Sequence, residues 1–207
     1  VIAELRRVIS VASDALAAYD HSRALEVTES FFWTFCDDYL ELVKERAYNR
    51  DGKWAEDEAV SARTVLAIVI DTVIRLLAPF LPYVTEEVWS WYRPGSIHRA
   101  PWPTLEGLED VAGDPEVLRA ASAALIALRR VKSEAKVSPR TPFLKVSLEV
   151  PQASKAAIEG VLADLSAASK VEGPFELVSY DAAEDGEAET RVVSFELGEA
   201  PAKRKKA

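Results

Sequence analysis

The chain has 207 residues, 49% hydrophobic and 29% charged, which is enough for one large or two small soluble domains with a sizeable core. Its apolar run from Val65 to Ile70 falls far short of the ~18–20 residues that span a bilayer, so no membrane partner is expected. Cys36 is the only cysteine, so no intrachain disulfide can form. With two distant histidines, His21 and His98, it cannot complete a Cys/His zinc site either. The formal net charge of −9 disfavours unspecific polyanion binding, so any nucleic-acid reading needs a local basic patch.

Val1 to Tyr19 carries apolar residues at Ile2, Leu5, Ile9, Ala12 and Leu16, a helical spacing. The chain holds no methionine and opens inside this pattern, which reads as a fragment cut from a longer protein. Ser22 to Tyr48 predicts a longer helix, with Leu25, Phe32, Cys36, Tyr39, Val43 and Ala47 as one apolar stripe and Ser30, Thr34, Asp37, Glu41 and Lys44 opposite. On that stripe Cys36 reads as a buried structural thiol. Asn49-Arg50-Asp51-Gly52 breaks the helix. Glu58 to Ala78 predicts a central buried helix, with an exposed Asp71–Arg75 pair worth a few tenths of a kcal/mol. Pro79 and Pro82 end it, and Thr85-Glu86-Glu87 opens a short helix with Thr85 as cap. That helix carries Trp89, Trp91 and Tyr92 and ends at Pro94-Gly95. After an irregular stretch, Asp114-Pro115 starts a helix that runs to about Lys136.

Beyond Pro142 the pattern changes. Phe143 to Val150 alternates as a strand, with Leu144, Val146, Leu148 and Val150 on one face. Gln152 to Ser169 predicts one amphipathic helix, and Phe175 to Tyr180 and Arg191 to Leu197 two more strands. The acidic stretch Asp181 to Glu189 joins them as a loose loop, and a basic tail closes the chain. The expected fold is mainly α: a helical domain over residues 1–140, a small α+β (β-α-β-β) module over 141–198, and a disordered basic tail over 199–207.

No phosphate-binding glycine loop, nucleophile elbow or zinc spacing is present. Asp37 and Asp38 are adjacent on a helix, point ~100° apart and cannot share one reacting bond. His98 has no evident acid or base partner and reads as a loop histidine. The basic residues say more. Arg129, Arg130, Lys132, Lys136, Arg140 and Lys145 face one acid, Glu134, which makes the segment locally +5. Leu118, Leu125 and Lys132 share a helix face, so that face turns basic near its end. This suits a polyanion; it equally suits the helix dipole and solubility. A second surface interleaves Phe31 and Trp33, off the apolar stripe, with Lys44, Arg46, Tyr48, Arg50 and Lys53. Rings stack on unstacked bases while cations pair phosphates, although the same rings would also pack between helices.

Two segments carry a family resemblance. Arg23-Ala24-Leu25-Glu26 with Phe31-Phe32-Trp33-Thr34-Phe35-Cys36-Asp37-Asp38-Tyr39-Leu40-Glu41 resembles the anticodon-binding helical bundle of the valine–tRNA ligases. Leu77-Ala78-Pro79-Phe80-Leu81-Pro82-Tyr83-Val84-Thr85-Glu86-Glu87-Val88-Trp89 does so too, followed by Ser96-Ile97-His98 and Pro101-Trp102-Pro103. The likeness covers roughly residues 15–140. The later motifs are shared with isoleucine and leucine relatives, while the Phe-Cys-Asp-Asp-Tyr-Leu-Glu run favours valine.

The resemblance implies the C-terminal part of a class I aminoacyl-tRNA ligase. Its ATP- and Mg-dependent catalytic domain would lie upstream with His-Ile-Gly-His and Lys-Met-Ser-Lys-Ser signatures. Neither is in this chain, so no catalytic residue, metal or cofactor is expected within it. The implied partners are the anticodon arm of tRNA(Val) and the upstream catalytic domain, in a cytoplasmic monomer. Phe31, Phe32 and Trp33 are then candidates to stack on bases, and Lys44, Arg46 and Arg50 to meet phosphates or bases. Arg129, Arg130, Lys132, Lys136 and Arg140 form a candidate backbone clamp. Two alternatives stand beside this: the same domain of an isoleucine–tRNA ligase, and a helical protein-interaction module using the Trp89 and Trp91 surface.

Overall fold

The computed structural model describes residues 1–181 and 189–199. The acidic stretch inside 182–188 and the basic tail from 200 lie outside the described residues. The fold is mainly α, with a small sheet near the end: α1 (Ile2–Ala17), α2 (His21–Thr34), a π-helical segment Phe35–Tyr39, α3 (Leu40–Tyr48), α4 (Glu56–Leu77), α5 (Pro82–Ser90), a 3-10 turn Ile97–Arg99, α6 (Pro115–Glu134), β1 (Phe143–Pro151), α7 (Gln152–Glu159), α8 (Leu162–Ser169), β2 (Phe175–Tyr180) and β3 (Arg191–Leu197). Two compact units emerge. The first holds residues 1–40 and 46–115; the second holds 41–45 and the described residues from 116 onward. The element pattern changes at 140, but the units divide at 115/116, because α6 lends its apolar side to the sheet: Leu128 packs with Phe143 and Val146.

The first unit is a bundle around α1, α2 and α4, with Leu5, Val8, Val27, Phe31, Phe35, Val69, Val73 and Leu76 in its core. The buried side of α2 carries Ala24, Val27, Thr28 and Phe31, one position ahead of the expected stripe. Thr28 reads as polar, yet its hydroxyl donates to the Ala24 carbonyl at 2.8 Å, so it can be buried at little cost. Phe31 is therefore core, 5% exposed and stacked beside Phe35 with ring centroids 6.4 Å apart. Leu25, Phe32, Cys36 and Tyr39 are half-buried at its flank. In the π segment the Leu40 N–H donates to the Phe35 carbonyl, which inserts one residue into the helical turn between α2 and α3.

Helix α5 begins at Pro82, not at Thr85. Proline suits a first helical position, where its missing N–H is not needed. Thr85 lies inside, 3% exposed, its hydroxyl donating to the Leu81 carbonyl at 2.8 Å. Trp89 of this helix is buried, whereas Trp91 is 71% exposed. Glu86 fixes the following loop: its carboxylate accepts from the Ser96 hydroxyl and the Ile97 N–H at 3.0 and 2.9 Å. The His98 ring nitrogen lies 3.1 Å from the Pro82 carbonyl, which gives this histidine a place in the loop's structure. Asp71 pairs with Arg75 at 2.7 Å and with Arg93 at 2.9 Å. Its side chain is only 15% exposed, so this is a partly buried network, not a surface pair.

In the second unit the sheet order is β2-β1-β3, with β1 parallel to β2 and antiparallel to β3. The parallel pairing needs the crossover that α7 and α8 supply. These are two helices, separated at Gly160 and Val161, where a single one was expected. Along β1 the buried positions include Phe143, Val146, Leu148 and Val150. Leu144 is instead exposed, because the β1–β3 register shifts between Phe143 and Lys145 and turns Phe143 inward. Gly173, on the approach to β2, sits against the β1 backbone: a Cβ there would lie 1.8 Å from the Leu144 carbonyl oxygen.

Candidate nucleic-acid interface

In the second unit the Glu41–Glu45 stretch of α3, the last turns of α6, the Val137–Arg140 turn and the end of α8 surround an open cleft of about 720 Å³. Five cationic side chains line it: Lys44, Arg129, Lys132, Arg140 and Lys170. Two carboxylates, Glu41 and Glu45, reduce the local charge to +3. Glu41 pairs with Lys44 at 2.7 Å and with Arg129 at 3.5 Å, and Glu45 pairs with Lys170 at 2.7 Å. Arg140 has no ion-pair partner among the described residues. A cationic concavity in a chain of net charge −9 is the local patch that a polyanion requires.

The five cations are not equivalent. Lys132 is 5% exposed, its ammonium donating to the Ser169 carbonyl at 2.7 Å and the Pro139 carbonyl at 3.0 Å. The same ammonium lies 4.7 Å from the Phe143 ring centroid. Burial, and then the charge of Lys170, lower its pKa to about 8. Lys132 is thus a brace between α6, the turn after it and the end of α8, and it does not reach out to phosphates as the sequence pattern suggested. Lys132 shares its helix face with Leu125, as the spacing predicts, and carbonyls from the turn after α6 and from the last residue of α8 satisfy its buried ammonium.

The other clamp candidates divide. Arg129 lines the cleft, as does Arg140. Arg130 points elsewhere, paired with Glu134 at 2.8 Å and near Glu189 at 4.0 Å. Lys136 is exposed at the end of α6 with φ 54°, a left-handed backbone that ends the helix. Lys170 holds the same kind of position after α8, with φ 57°. No local signal in the sequence marks Lys170, Glu41 or Glu45 as part of this site, since 125 residues separate Glu45 from Lys170.

The first unit presents the aromatic candidates. Phe31 is unavailable for stacking because its ring is core. Phe32 is half-buried and meets Trp33 edge-on at 5.3 Å. Trp33 is 54% exposed, its indole N–H directed to Glu29 at 3.3 Å. At the other end of the α2–α3 stretch, about 22 Å along a helix rising ~1.5 Å per residue, Arg50 lies over the Tyr48 ring at 4.8 Å. Hydrogen bonds hold the loop around it: Asn49 bonds both the N–H and the carbonyl of Trp54, and Arg63 donates to the Ala47 carbonyl. Arg46 is half-buried on α3. An exposed ring with a cation on its face and a held loop behind it can receive an unstacked base.

The family model of the anticodon-binding domain of tRNA ligase matches residues 1–148. Among curated proteins the chain is 47% identical to a valine–tRNA ligase of Bifidobacterium longum, over 99% of this chain and 24% of that protein. It is 46% identical to a valine–tRNA ligase of Cutibacterium acnes over 100% of this chain and 22% of that protein. A valine–tRNA ligase of Thermobifida fusca is 48% identical over 83% of this chain and 19% of that protein. The chain spans about a quarter or less of the length of these relatives.

Proposed function

The chain belongs to the family of anticodon-binding domains of tRNA ligases, and on that premise we propose that it is the anticodon-binding region of a valine–tRNA ligase. The observation that carries the valine assignment is the 46–47% identity to valine–tRNA ligases over essentially the whole chain, sheet module included. On this reading the two units divide the work. Trp33 and the Tyr48–Arg50 pair receive unstacked bases of the anticodon loop, where sequence is read. The cleft lined by Lys44, Arg129, Arg140 and Lys170 receives phosphates, which supply affinity but carry no sequence.

The chain would then hold one end of tRNA(Val) while an upstream catalytic domain, with its own ATP and Mg, charges the other. It needs no cofactor of its own and performs no chemistry alone, since neither class signature is in its sequence. A cytoplasmic monomer fits this role, and no helix among the described residues is long and apolar enough to cross a membrane. The test is binding of tRNA(Val) and tRNA(Ile) transcripts at matched salt. Preferential binding of tRNA(Val) supports the assignment. Preference for tRNA(Ile) moves it to the isoleucine relative, and absence of binding to either refutes it.

A further inference from the structure

The cleft of the second unit contains its own anions, and their placement says what kind of ligand it accepts. Glu41 and Glu45 stand four residues apart on α3, so they are neighbours of like charge on one helical face. That is unfavourable for the helix by itself. Each is instead engaged by cations: Glu41 by Lys44 one turn along the same helix and by Arg129 of α6, Glu45 by Lys170 after α8. All these side chains are between one third and about two fifths exposed, so the pairs are solvent-screened, weak and exchangeable. Arg140, on the cleft wall, has no ion-pair partner among the described residues. The lining also contains no aromatic ring. The cleft therefore offers no ring on which a splayed base could stack, and its cations suit phosphates instead, in contrast to the surfaces at Trp33 and Tyr48.

We propose that this cleft is a sequence-blind phosphodiester site guarded by Glu41 and Glu45, which hold its cations until a ligand with several phosphates displaces them. The proposal rests on the reading of the chain as a tRNA binder and adds how that binding is restricted. Arg140 takes the first phosphate. Glu41 then gives up two cations at once, because both engage the same carboxylate oxygen. A ligand with only one or two phosphates gains too few contacts to displace both carboxylates and must still face them. A polynucleotide backbone supplies successive phosphates, and its released counterions drive the exchange. The guard thereby keeps the cleft from retaining small phosphates and loosens its grip on every RNA, so that recognition by the anticodon-reading surface decides which tRNA stays.

The experiment compares the full chain with its Glu41→Gln/Glu45→Gln double variant and with Arg140→Gln. The probes are tRNA(Val), tRNA(Ile) and inorganic pyrophosphate, with affinities read across a salt series. The double variant should bind both tRNAs about tenfold tighter at low salt, as expected when two nearby like charges are removed. It should also gain measurable pyrophosphate binding. Arg140→Gln, on an exposed residue that folding does not need, should weaken both tRNAs equally and flatten the salt slope by roughly 0.7–0.9. Unchanged affinities in the double variant, or a change for one tRNA only, overturn the guard. Pyrophosphate binding as strong in the parent as in the double variant also overturns it. If the parent prefers tRNA(Val) and the guard fails these tests, the anticodon reading survives alone. If the parent binds neither tRNA yet the double variant gains pyrophosphate, the guarded anion site survives and the anticodon reading falls.

Discussion

Replacing Lys132 with Met separates a brace from a clamp. Methionine keeps most of the stem but removes the ammonium, leaving the Ser169 and Pro139 carbonyls without their donor. Hydrogen bonds from a charged group each contribute roughly 1.5–3 kcal/mol. Relief from burying a charge offsets part of that loss, which leaves a net destabilisation of about 2 kcal/mol, or ~4–8 °C in melting temperature for a chain of this size. Urea titration at neutral pH measures it, with Lys136→Met as the control expected to stay within ~0.5 kcal/mol. The pH dependence gives an independent check. The folded pKa of Lys132 is lowered from 10.5 to about 8, so between these values the unfolded chain binds more protons than the folded one. Stability from this group therefore rises with pH across that window and is flat below it. A neutral amine still has two N–H bonds for its two carbonyls. The stability gap between parent and Lys132→Met should widen from pH 8 to pH 10. A variant as stable as its parent, or a gap that narrows over that range, would refute the brace.

Gly173→Ala should cost about 2–3 kcal/mol in a denaturant titration, because its Cβ meets backbone that cannot rotate away. Phe31→Ala should cost roughly 3–5 kcal/mol of stability as a core truncation. Trp33→Ala should leave the melt unchanged and weaken tRNA(Val) binding by about 1–3 kcal/mol, the contribution of one stacked base; equal effects of the two substitutions on both readouts would contradict their assigned places. Burial, and then the Asp37 carboxylate, raise the Cys36 pKa, so near pH 8 a thiol reagent should react severalfold more slowly with the native chain than in denaturant. Asp71→Asn should destabilise by about 1–3 kcal/mol, since two arginines lose their shared anion, and a value near zero would return Asp71–Arg75 to a surface pair.

Most of the architecture was legible because it rests on periodicity. The stripe in α1, the buried α4 and the switch to alternating residues at Phe143 are strong local patterns, and the structure contains each of them. The misreadings came where a polar group is satisfied by a partner that a pattern does not show. Thr28 and Thr85 are buried because nearby helix carbonyls accept their hydroxyls. Lys132 is buried because two carbonyls from different segments meet at its ammonium. Phe31 lies in the core because the buried side of α2 runs through Ala24, Val27 and Thr28, one position ahead of the Leu25–Phe32 stripe. The site was half legible. The basic run from Arg129 to Arg140 marked one wall of the cleft, but Lys170 and the two carboxylates reach it through tertiary folding. Aromatic residues near cations marked the other surface, and only exposure could separate Trp33 from Phe31.

Nuclease footprinting of tRNA(Val) with this chain asks most directly whether it grips the anticodon arm. The structure and family membership predict protection of the anticodon loop bases together with the backbone of the adjoining stem, and an acceptor end left as accessible as in free RNA. Trp33→Ala should restore cleavage in the loop, while Arg140→Gln should restore it in the stem. Protection confined to the acceptor end, or uniform weak protection along the whole tRNA, would contradict it.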